Sequence, residues 1–366
     1  MKKKVLFLLP TLDAGGAENY ALRVVNHYKD EFDFSVLSVK LRKGDLHDNF
    51  EKVGAKIFYM SIGYLDIKKV KAFYGFLKSE GFDTICTFNG NFGGLPIAIA
   101  KKAGIPNRMA FYRRSTNAFG NNFFKKKYND FANFLIRKNA TGILSNSQAA
   151  FDNFHKKYYR NDARYKVIPN GSDAAKFDIS ISKKEAAAKL GIDENTFIVG
   201  HVGRFDPAKN HNTIFKVAAK VISENPNVLF LFCGKDTDSD VFKAKLKENG
   251  IIDNCITLGL RNDLEIVYKA MDVFYFPSVT EGQPNALIEA MLSDLPVITA
   301  DIASISEALP ENHQHMVFNP LEVNSVADLI LDFSRKQIDE NKFKCAAWAR
   351  VKFDLDKNLN LFKELL

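Results

Sequence analysis

The chain has 366 residues, of which 46% are hydrophobic, 12% aromatic and 26% charged. This composition is typical of a folded globular protein and excludes a disordered chain. At roughly 150 residues per domain, the length predicts about two domains, each large enough to bury a core. The cysteines lie far apart and away from any group of histidines, a pattern that gives no sign of a disulfide framework or a zinc site and fits a reducing cytoplasm. They are Cys86, Cys233, Cys255 and Cys345.

The N-terminal segment begins with three lysines and an apolar run over residues 5–9, which Pro10 ends. This run is too short for a signal peptide and predicts a first strand. No other run approaches the roughly 18 apolar residues that cross a bilayer. We therefore expect a cytoplasmic protein whose membrane contact would be peripheral.

The charge is divided unevenly along the chain, whose net charge is +8. Residues 1–170 contain 29 Lys and Arg against 14 Asp and Glu, whereas the remainder contains 22 against 29. Much of the basic excess lies within residues 101–164. Such a surface attracts anionic partners, namely nucleic acid, phospholipid or a diphosphate-bearing substrate, but it can equally be a solvated face that keeps the protein soluble.

Short apolar runs alternate with segments of helical period, which is the βαβα pattern of parallel sheets covered by helices. In the first half, the predicted strands are residues 5–9, 34–39, 56–60, 84–88, 108–112, 142–145 and 166–168. In the second half they are residues 197–202, 228–233, 256–258, 273–276 and 297–300. A turn cluster at residues 170–173 precedes a charged helix at 180–191, which predicts a hinge at 171–180. The fold class is therefore α/β, with two doubly wound halves.

The most informative motif follows the predicted strand 273–276. Gly282 permits an unusual turn, and Pro284 suits the first position of a helix. The first amides of that helix would be free and, with the positive end of its dipole, would form an anion site. These amides belong to Asn285, Ala286 and Leu287.

Two glutamates accompany this motif. Glu281 stands at the end of the strand, and Glu289 lies over a turn further along the helix. Carboxylates are good acceptors for sugar diols and poor ligands for phosphate. The alternative, equally compatible with the spacing, is an N-terminal capping acid and an exposed helix glutamate.

A second constellation follows the predicted strand 197–202. Arg204 offers a planar fork of donors and Lys209 a compact charge. Together they could bind a diphosphate and stabilise the negative charge that grows on it as its bond to a sugar breaks. Taken alone, this loop is more simply a surface turn with two solvated cations.

A third signal is the pair Gly15 and Gly16, after the first strand and before a helix predicted to start near Ala17. Glycines let the backbone approach a ligand closely. The G-x-G-x-x-G spacing of a dinucleotide fingerprint is absent, and a bare Gly-Gly turn is more often a simple connection.

The chain resembles glycosyltransferase family 4, which has the two-domain GT-B fold. The segments that carry the resemblance keep the family's order and spacing over most of the chain: 15–18, 145–147, 167–173, 202–204 with 209–210, 258–263, 270–273 and 277–291. It implies two Rossmann-like domains facing across a cleft. Residues 1–174 would bind the acceptor, 175–345 would bind the nucleotide sugar, and 346–366 would form a helix that returns to the first domain.

The resemblance also implies a donor, a UDP- or GDP-sugar. It places Arg204 and Lys209 on the diphosphate, Glu281 on the sugar hydroxyls, Glu289 on the ribose and Arg261 near the base. The same donor-binding set contains Gly15, Gly16, Gly203, Pro284, Asn285, Ala286 and Leu287. Enzymes of this kind usually retain the anomeric configuration and need no divalent metal, because Arg and Lys neutralise the diphosphate; no metal and no other cofactor is expected.

Two other polar stretches match none of the family motifs. Residues 236–240 have Asp-x-Asp spacing, which we interpret as a solvated acidic turn, and His313 and His315 lie in a predicted loop without a function. One position departs from the family, whose members often carry a histidine after the strand corresponding to 108–112. Here Arg113 or Arg114 could occupy that place, and a guanidinium there could instead bind an acceptor phosphate.

The acceptor is predicted from the segment 120–138, in which aromatic and apolar residues recur at helical spacing among lysines. They are Phe124, Tyr128, Phe131 and Leu135. A basic, aromatic helix can lie on an anionic membrane, and it can equally pack its aromatic stripe on the first sheet. We expect the stripe to pack on the sheet, with the lysines alone facing the membrane. With the basic first half, this favours a lipid-linked saccharide acceptor in surface polysaccharide biosynthesis.

Two other functions remain open from the residues alone. A sugar-nucleotide epimerase on the same fold would need no acceptor, although the motifs lack a cluster suited to proton abstraction. A nucleic-acid-binding module would use the basic half, but the sequence has no recognition motif, so no nucleic-acid partner is expected.

Overall fold

The computed structural model describes residues 2–63, 66–115, 123–312 and 314–366, with only the backbone described at 123–125 and 314. The chain divides into two compact units. The first unit is Met1–Asn170 together with Asp356–Leu366, and the second unit is Gly171–Leu355.

The first unit is built on a seven-stranded parallel sheet in the order β3-β2-β1-β4-β5-β6-β7. Its strands are β1 Lys3–Leu9, β2 Phe32–Ser38, β3 Lys56–Tyr59, β4 Thr84–Thr87, β5 Asn107–Tyr112, β6 Gly142–Ser145 and β7 Tyr165–Val167. Its helices up to this point are α1 Gly16–Tyr28, α2 His47–Lys52, α3 Ile67–Glu80, α4 Gly94–Ala103, α5 Phe123–Asn139 and α6 Gln148–Phe154. The last five residues of β1 are fully buried, as expected for a central strand with both faces covered.

The second unit repeats the plan with six parallel strands in the order β10-β9-β8-β11-β12-β13. Its strands are β8 Phe197–Val202, β9 Val228–Cys233, β10 Cys255–Thr257, β11 Val273–Phe276, β12 Val297–Ala300 and β13 Val317–Phe318. Its helices are α7 Lys183–Lys189, α8 His211–Glu224, α9 Asp240–Glu248, α10 Leu264–Lys269, α11 Asn285–Leu292, α12 Ala303–Ser306, α13 Asn324–Ser334 and α14 Ala346–Lys352. The predicted α/β class with two parallel-sheet halves is confirmed. The short strand β13 was not predicted.

The last helix, α15 (Leu355–Lys363), follows α14 after a break, so the segment predicted as one terminal helix contains two. Nearly all of α15 lies in the first unit. There Phe362 packs among the rings of four core aromatics, with centroid distances of 5.7–6.3 Å. These are Phe7, Tyr20, Phe88 and Phe111. The end of the chain thus completes the core of the first unit.

The buried face of α5 differs from the predicted aromatic stripe. Asn129, Ala132, Asn133 and Ile136 are buried, whereas Phe131 is 53% exposed. Tyr128 and Leu135 are half-buried, and the side chain of Phe124 lies outside the described residues. The reason is a pair of long-range hydrogen bonds, from Asn91 to the Asn129 amide oxygen (2.6 Å) and from the Tyr112 hydroxyl to that of Asn133 (2.7 Å). The two asparagines are therefore satisfied inside the unit, and the prediction that Phe131 packs on the sheet was wrong.

None of the helices over the described residues is both long enough and apolar enough to cross a membrane.

Candidate active site

Neighbouring loops at the carboxyl edge of the second sheet are joined by backbone hydrogen bonds. Gly203 after β8 donates to the Cys233 carbonyl (2.8 Å), and Gly234 after β9 donates to the Gly259 carbonyl (2.7 Å). Val279 after β11 donates to the Ala208 carbonyl (2.9 Å). Because parallel strands end at a common edge, these bonds bring the two predicted motifs of the second unit together.

Asn210 fixes the loop that carries Lys209. Its backbone is left-handed (φ 58°), a conformation that asparagine tolerates better than most residues. Its side-chain amide donates to the carbonyls of Pro277 (3.1 Å) and Pro320 (2.7 Å). One residue thus holds three loops in place, next to the first turn of α8.

Lys209 and Glu281 meet at the centre of the site. The Lys209 ammonium nitrogen lies 2.5 Å from the Glu281 Oε1 atom, and the two side chains are only 18% and 13% exposed. The ammonium also lies 4.9 Å from the centre of the Phe276 ring, within cation–π range. A Cβ atom placed on Gly203 would come within 3.3 Å of the Lys209 stem, so Gly203 provides the space in which this lysine lies.

Arg204 is placed differently from Lys209. Its side chain is 53% exposed and its Nε atom lies 3.3 Å from Asp206. Asp206 also accepts from the Ala208 amide (2.9 Å), which holds the turn before Lys209. The Arg204 guanidinium is therefore accessible and loosely held, and exposed pairs of this kind are weak.

The helix α11 begins one residue later than predicted. Pro284 lies before the helix with extended angles (φ −77°, ψ 117°), and Asn285 is the first helical residue. The physical reason is that the Pro284 carbonyl accepts the first intrahelical hydrogen bond, from Ile288, which is the role of a residue preceding the helix. The amides of Asn285, Ala286 and Leu287 still belong to the first turn. The Glu281 carbonyl accepts from the Ser304 hydroxyl (2.9 Å), which holds the preceding loop.

Glu289 is anchored by a tyrosine that the sequence did not single out. The Tyr268 hydroxyl lies 3.0 Å from a Glu289 carboxylate oxygen and 3.1 Å from the Ala286 carbonyl. Burial, followed by the neighbouring Glu289 charge, raises the pKa of Tyr268 well above its usual value, so the hydroxyl stays protonated and donates. The nearby Cys233 thiol is also kept protonated, because burial raises its pKa to about 12.

Arg261 forms a two-point ion pair with Asp263. Its Nε and Nη2 atoms donate to the two carboxylate oxygens at 2.8 and 2.5 Å. The pair lowers the pKa of Asp263 and raises that of Arg261. The guanidinium is thus oriented from one side, and a ligand would meet only its remaining edge.

Two buried histidines lie beneath Lys209. The rings of His201 and His211 pack edge to face with centroids 4.9 Å apart, and His201 Nδ1 lies 3.0 Å from the Tyr275 carbonyl. Burial, with the Lys209 charge as a further cause, lowers the pKa of His211 to about 4 and that of His201 well below its usual value. Both rings are therefore neutral at physiological pH and add no competing positive charge.

The acidic turn 236–240 does not form a cluster of metal ligands. The Asp238 carboxylate packs against Gly259. Within the part of the chain that the structure describes, the one group of three that could hold an ion is His47, Asp48 and Glu51 of α2, in the first unit. Asp48 there pairs with Lys43 at 2.5 Å. His315 packs on Phe343, and His313 lies outside the described residues.

In the first unit, Gly15 and Gly16 begin α1 as the sequence suggested. Gly15 precedes the helix, Gly16 is its first residue, and a Cβ atom on Gly16 would meet open space. The buried carboxylate of Glu18 lies over Gly15, where a Cβ atom would come within 2.5 Å of it. Burial raises the pKa of Glu18. A side chain at Gly15 would displace the Glu18 carboxylate, whereas a Cβ atom on Gly16 would meet nothing.

The two arginines after β5 point in different directions. Arg114 is exposed. The Arg113 guanidinium lies 4.0 Å from the centre of the Tyr20 ring, and its Nη2 atom lies 3.4 Å from the Gly16 carbonyl. Arg113 therefore contacts the Gly15-Gly16 loop, while the charges of both Arg114 and Arg113 oppose the burial that raises the pKa of Glu18.

Comparison with known proteins identifies the chain. Residues 14–176 match the model of Glycosyltransferase Family 4, and residues 182–350 match that of Glycosyl transferases group 1. The chain is a glycosyltransferase, with a Glycosyltransferase Family 4 domain followed by a Glycosyl transferases group 1 domain. This glycosyltransferase is 32% identical over 246 residues to the UDP-Gal:alpha-D-GlcNAc-diphosphoundecaprenol alpha-1,3-galactosyltransferase of Escherichia coli, a match covering 65% of the chain and 62% of that relative. It is 29% identical over 370 residues to the capsular polysaccharide biosynthesis glycosyltransferase CapH of Staphylococcus aureus, covering 99% of the chain and 98% of CapH.

The fold of the glycosyltransferase is also that of solved structures. Anabaena Alr3699/HepE in complex with UDP and glucose has a TM-score of 0.82 at 22% identity, over 99% of this chain and 98% of that one. The two parallel sheets and this full-length likeness confirm the GT-B fold that the sequence resemblance predicted.

The structure adds residues to the site that sequence reasoning missed. Asn210 and Tyr268 hold Lys209 and Glu289 in place. Asn210 could have been found from its position directly before α8, because asparagine is favoured where a chain turns into a helix. Tyr268 carried no such signal, since its hydroxyl meets Glu289 from 21 residues away.

Proposed function

We propose that this glycosyltransferase transfers a sugar from a nucleotide-diphosphate sugar to a hydroxyl of a saccharide acceptor in surface polysaccharide biosynthesis, with retention of anomeric configuration. The single observation that carries the proposal is the convergence of Lys209, Glu281 and the start of α11 at one strand edge. A cation, a carboxylate and the amides of a helix N-terminus are groups that can bind a sugar diphosphate.

The proposed donor is a UDP-sugar. Two relatives support this choice, because the E. coli enzyme is named for UDP-Gal and the Anabaena protein was solved with UDP and glucose. In the proposed complex, Arg204 and Lys209 bind the diphosphate, Glu281 binds sugar hydroxyls and Glu289 binds the ribose. Arg261 would approach the base with the guanidinium edge that Asp263 leaves open.

The proposed mechanism is electrostatic. As the bond between sugar and diphosphate breaks, negative charge grows on the diphosphate, and the Lys209 ammonium with the Arg204 guanidinium stabilises it. The leaving diphosphate accepts the proton of the incoming acceptor hydroxyl on the same face of the sugar, which preserves the configuration. Lys209 must leave Glu281 or share its charge for this step, so the donor replaces part of the ion pair. In this proposal the charge of the two cations takes the role that a divalent metal plays elsewhere, and no metal is required.

Binding and product analysis test this function. Thermal stability is measured with UDP-, GDP- and ADP-sugars, since a ligand at about 100 times its dissociation constant adds about 2.7 kcal/mol of apparent stability. The stabilising donor is then incubated with saccharide acceptors in the presence of chelator, and the anomeric configuration of the product is read by NMR. Stabilisation by one nucleotide class and an α-linked product from an α-linked donor are expected. Isomerisation of the donor without an acceptor would instead identify an epimerase.

We further propose that the acceptor is lipid-linked and reached at the cytoplasmic face of an anionic membrane. The support is an exposed stripe on α5, which we call the basic-aromatic face: Lys127, Phe131, Phe134 and Lys138. Phe131 and Phe134 are 53% and 46% exposed, and the Lys138 ammonium lies 5.8 Å from the Phe134 ring. These residues recur at helical spacing, and aromatic rings among lysines suit the interface of an anionic bilayer.

Vesicle flotation tests the membrane proposal. The protein should float with vesicles containing anionic phosphatidylglycerol and less with phosphatidylcholine alone. Each basic residue near such a surface contributes about 1 kcal/mol, so replacing Lys127 and Lys138 by Gln should weaken binding about 30-fold, and high salt should do the same. Replacing Lys243 and Lys247 by Gln, which removes two exposed lysines from α9 of the second unit, is the control, and this variant should float normally. Equal flotation of all variants, or none by the wild type, would contradict the proposal.

A further inference from the structure

Arg113 is a half-buried cation whose guanidinium has incomplete hydrogen bonding. Its guanidinium lies against Tyr20 and Phe111, with the Cζ atom 4.0 and 5.0 Å from the two ring centres. The Nη2 atom bonds the Gly16 carbonyl at 3.4 Å, near the limit of a hydrogen bond. The Nε and Nη1 atoms are buried and have no hydrogen-bond partner in the described part of the chain. This guanidinium therefore uses one of its three nitrogens, and uses it weakly.

Such an arrangement is costly for the protein alone. Burial without partners disfavours a charged donor, and burial lowers the pKa of Arg113 to about 10. The group still carries its charge at physiological pH. Buried donors are normally bonded, so donors without partners mark a place where a ligand supplies them.

The nearest opposite charge does not satisfy Arg113. Glu18 is buried in the first turn of α1, but no ion pair within 4.0 Å joins it to Arg113 among the described residues. Glu18 instead lies over Gly15. A Cβ atom on Gly16 would meet open space, and the carbonyl that Arg113 contacts belongs to the same residue.

We propose that Arg113 binds a phosphate group of a substrate through two adjacent nitrogens of its guanidinium. The planar fork of a guanidinium matches two oxygens of a phosphate, and the rings of Tyr20 and Phe111 keep that plane oriented. Breaking the long bond from Nη2 to Gly16 frees Nη2, which with the unpartnered Nε or Nη1 atom then presents two parallel N–H groups to the phosphate. This inference rests on the proposed function, in which either the diphosphate of a lipid-linked acceptor or that of the donor supplies the group.

Kinetics with paired acceptors tests the assignment. Arg113→Gln and the control Arg160→Gln, which removes the same charge at an exposed position of the first unit, are compared with the wild type. Each is assayed with a saccharide on a lipid diphosphate and with the same saccharide on an alkyl chain without phosphate. Loss of a charge-assisted bond predicts an increase of about tenfold or more in KM for the diphosphate acceptor, and no change for the phosphate-free acceptor. Arg160→Gln should leave both unchanged.

The outcomes separate the two phosphate sources. An increase in acceptor KM alone assigns the acceptor phosphate, and an increase in donor KM alone assigns the donor diphosphate. An equal loss with both acceptors, at unchanged donor KM, would overturn the proposal, because Arg113 would then act on the saccharide or on the backbone. If Arg113→Gln melts early, Arg113→Lys provides the second variant, since it keeps the charge but loses the fork and should give an intermediate KM.

A readout without turnover keeps this inference distinct from the proposed function. Calorimetry measures the binding of inorganic pyrophosphate to Lys209→Ala, in which a main cation of the second unit is absent. If Lys209→Ala still binds pyrophosphate, and adding Arg113→Gln to that variant abolishes the binding, the Arg113 site is supported even if no sugar transfer is found. Residual binding that is unaffected by Arg113→Gln would overturn it.

Discussion

The two units of this glycosyltransferase place opposite charges at equivalent strand edges but treat them differently. In the second unit, Lys209 and Glu281 meet at 2.5 Å and are largely buried together. In the first unit, Glu18 and Arg113 are both withdrawn from water but do not pair within 4.0 Å among the described residues, and Arg113 has two nitrogens without partners. In the second unit the two opposite charges form an ion pair, whereas in the described part of the first unit Glu18 and Arg113 do not.

This difference predicts how the carboxyl edge of each sheet responds to a ligand. A preformed ion pair keeps a lysine charged, oriented and partly dehydrated before the donor arrives, so little reorganisation remains. An unpaired buried cation stores an unfavourable interaction that a bound anion relieves. We therefore expect an anion that binds Arg113 to stabilise the first unit.

The largest effect we expect is on turnover. Lys209→Ala should lower kcat by about 100- to 1,000-fold, the usual loss when one donor to a developing negative charge is removed. Lys216→Ala, which removes an exposed lysine on the following helix, α8, should leave kcat unchanged. Steady-state kinetics with a matched donor measures both. Near-normal turnover of Lys209→Ala would remove its role in stabilising the diphosphate.

The next prediction concerns the free energy of unfolding, which the removal of a carboxylate should change differently in the two units. Glu281→Gln leaves the Lys209 ammonium without its counter-charge and should destabilise the second unit by about 1–3 kcal/mol. Glu18→Gln removes a carboxylate whose pKa burial raises, so its charged form is disfavoured by folding, and the protein should be unchanged or more stable at pH 7. Chemical denaturation of both variants measures the free energy of unfolding. Destabilisation of similar size in both would erase the distinction between the units.

The smallest effect concerns acid stability. The folded pKa values of His201 and His211 lie below the usual 6.5, so below pH 6.5 the unfolded chain binds protons that the folded chain does not. Stability contributed by neutral His211 is complete above pH 6.5 and is lost as the pH falls toward its folded pKa of about 4, with a slope of at most about 1.4 kcal/mol per pH unit.

Trp348 gives a local readout of this loss, because it is the single tryptophan of the chain and belongs to the second unit. Urea unfolding is followed by its fluorescence between pH 7 and 5. His211→Phe keeps an aromatic ring in the same cluster and should flatten the pH dependence. An unchanged slope in His211→Phe would mean that other groups cause the acid loss.

Much of the fold was predictable because strands buried on both faces appear as uninterrupted apolar runs. Strands β8, β9, β11 and β12 were predicted at their observed bounds. The two-residue strand β13 was missed, because so short a run has no pattern. The edge at which the motifs meet was also predictable, since parallel strands end together.

The contacts between residues that are far apart in the chain could not be predicted from the sequence. Its spacing placed Lys209 and Glu281 at strand ends, but their mutual bond joins residues 72 positions apart. On α5, local hydrophobicity favoured Phe131 as the buried residue, while the protein buries Asn129 and Asn133 through hydrogen bonds to distant residues. The roles assigned to the individual site residues remain predictions for the experiments above.

The position of Phe362 in the aromatic cluster of the first unit has a practical consequence. A fragment cut after residue 170 would lack the ring that fills the space between Phe7, Tyr20 and Phe111, together with the main-chain acceptors that Leu365 and Leu366 offer to Asn107 and Thr84. Isolating that half for expression would therefore call for grafting residues 356–366 onto it through a new linker, or for supplying them as a synthetic peptide in trans.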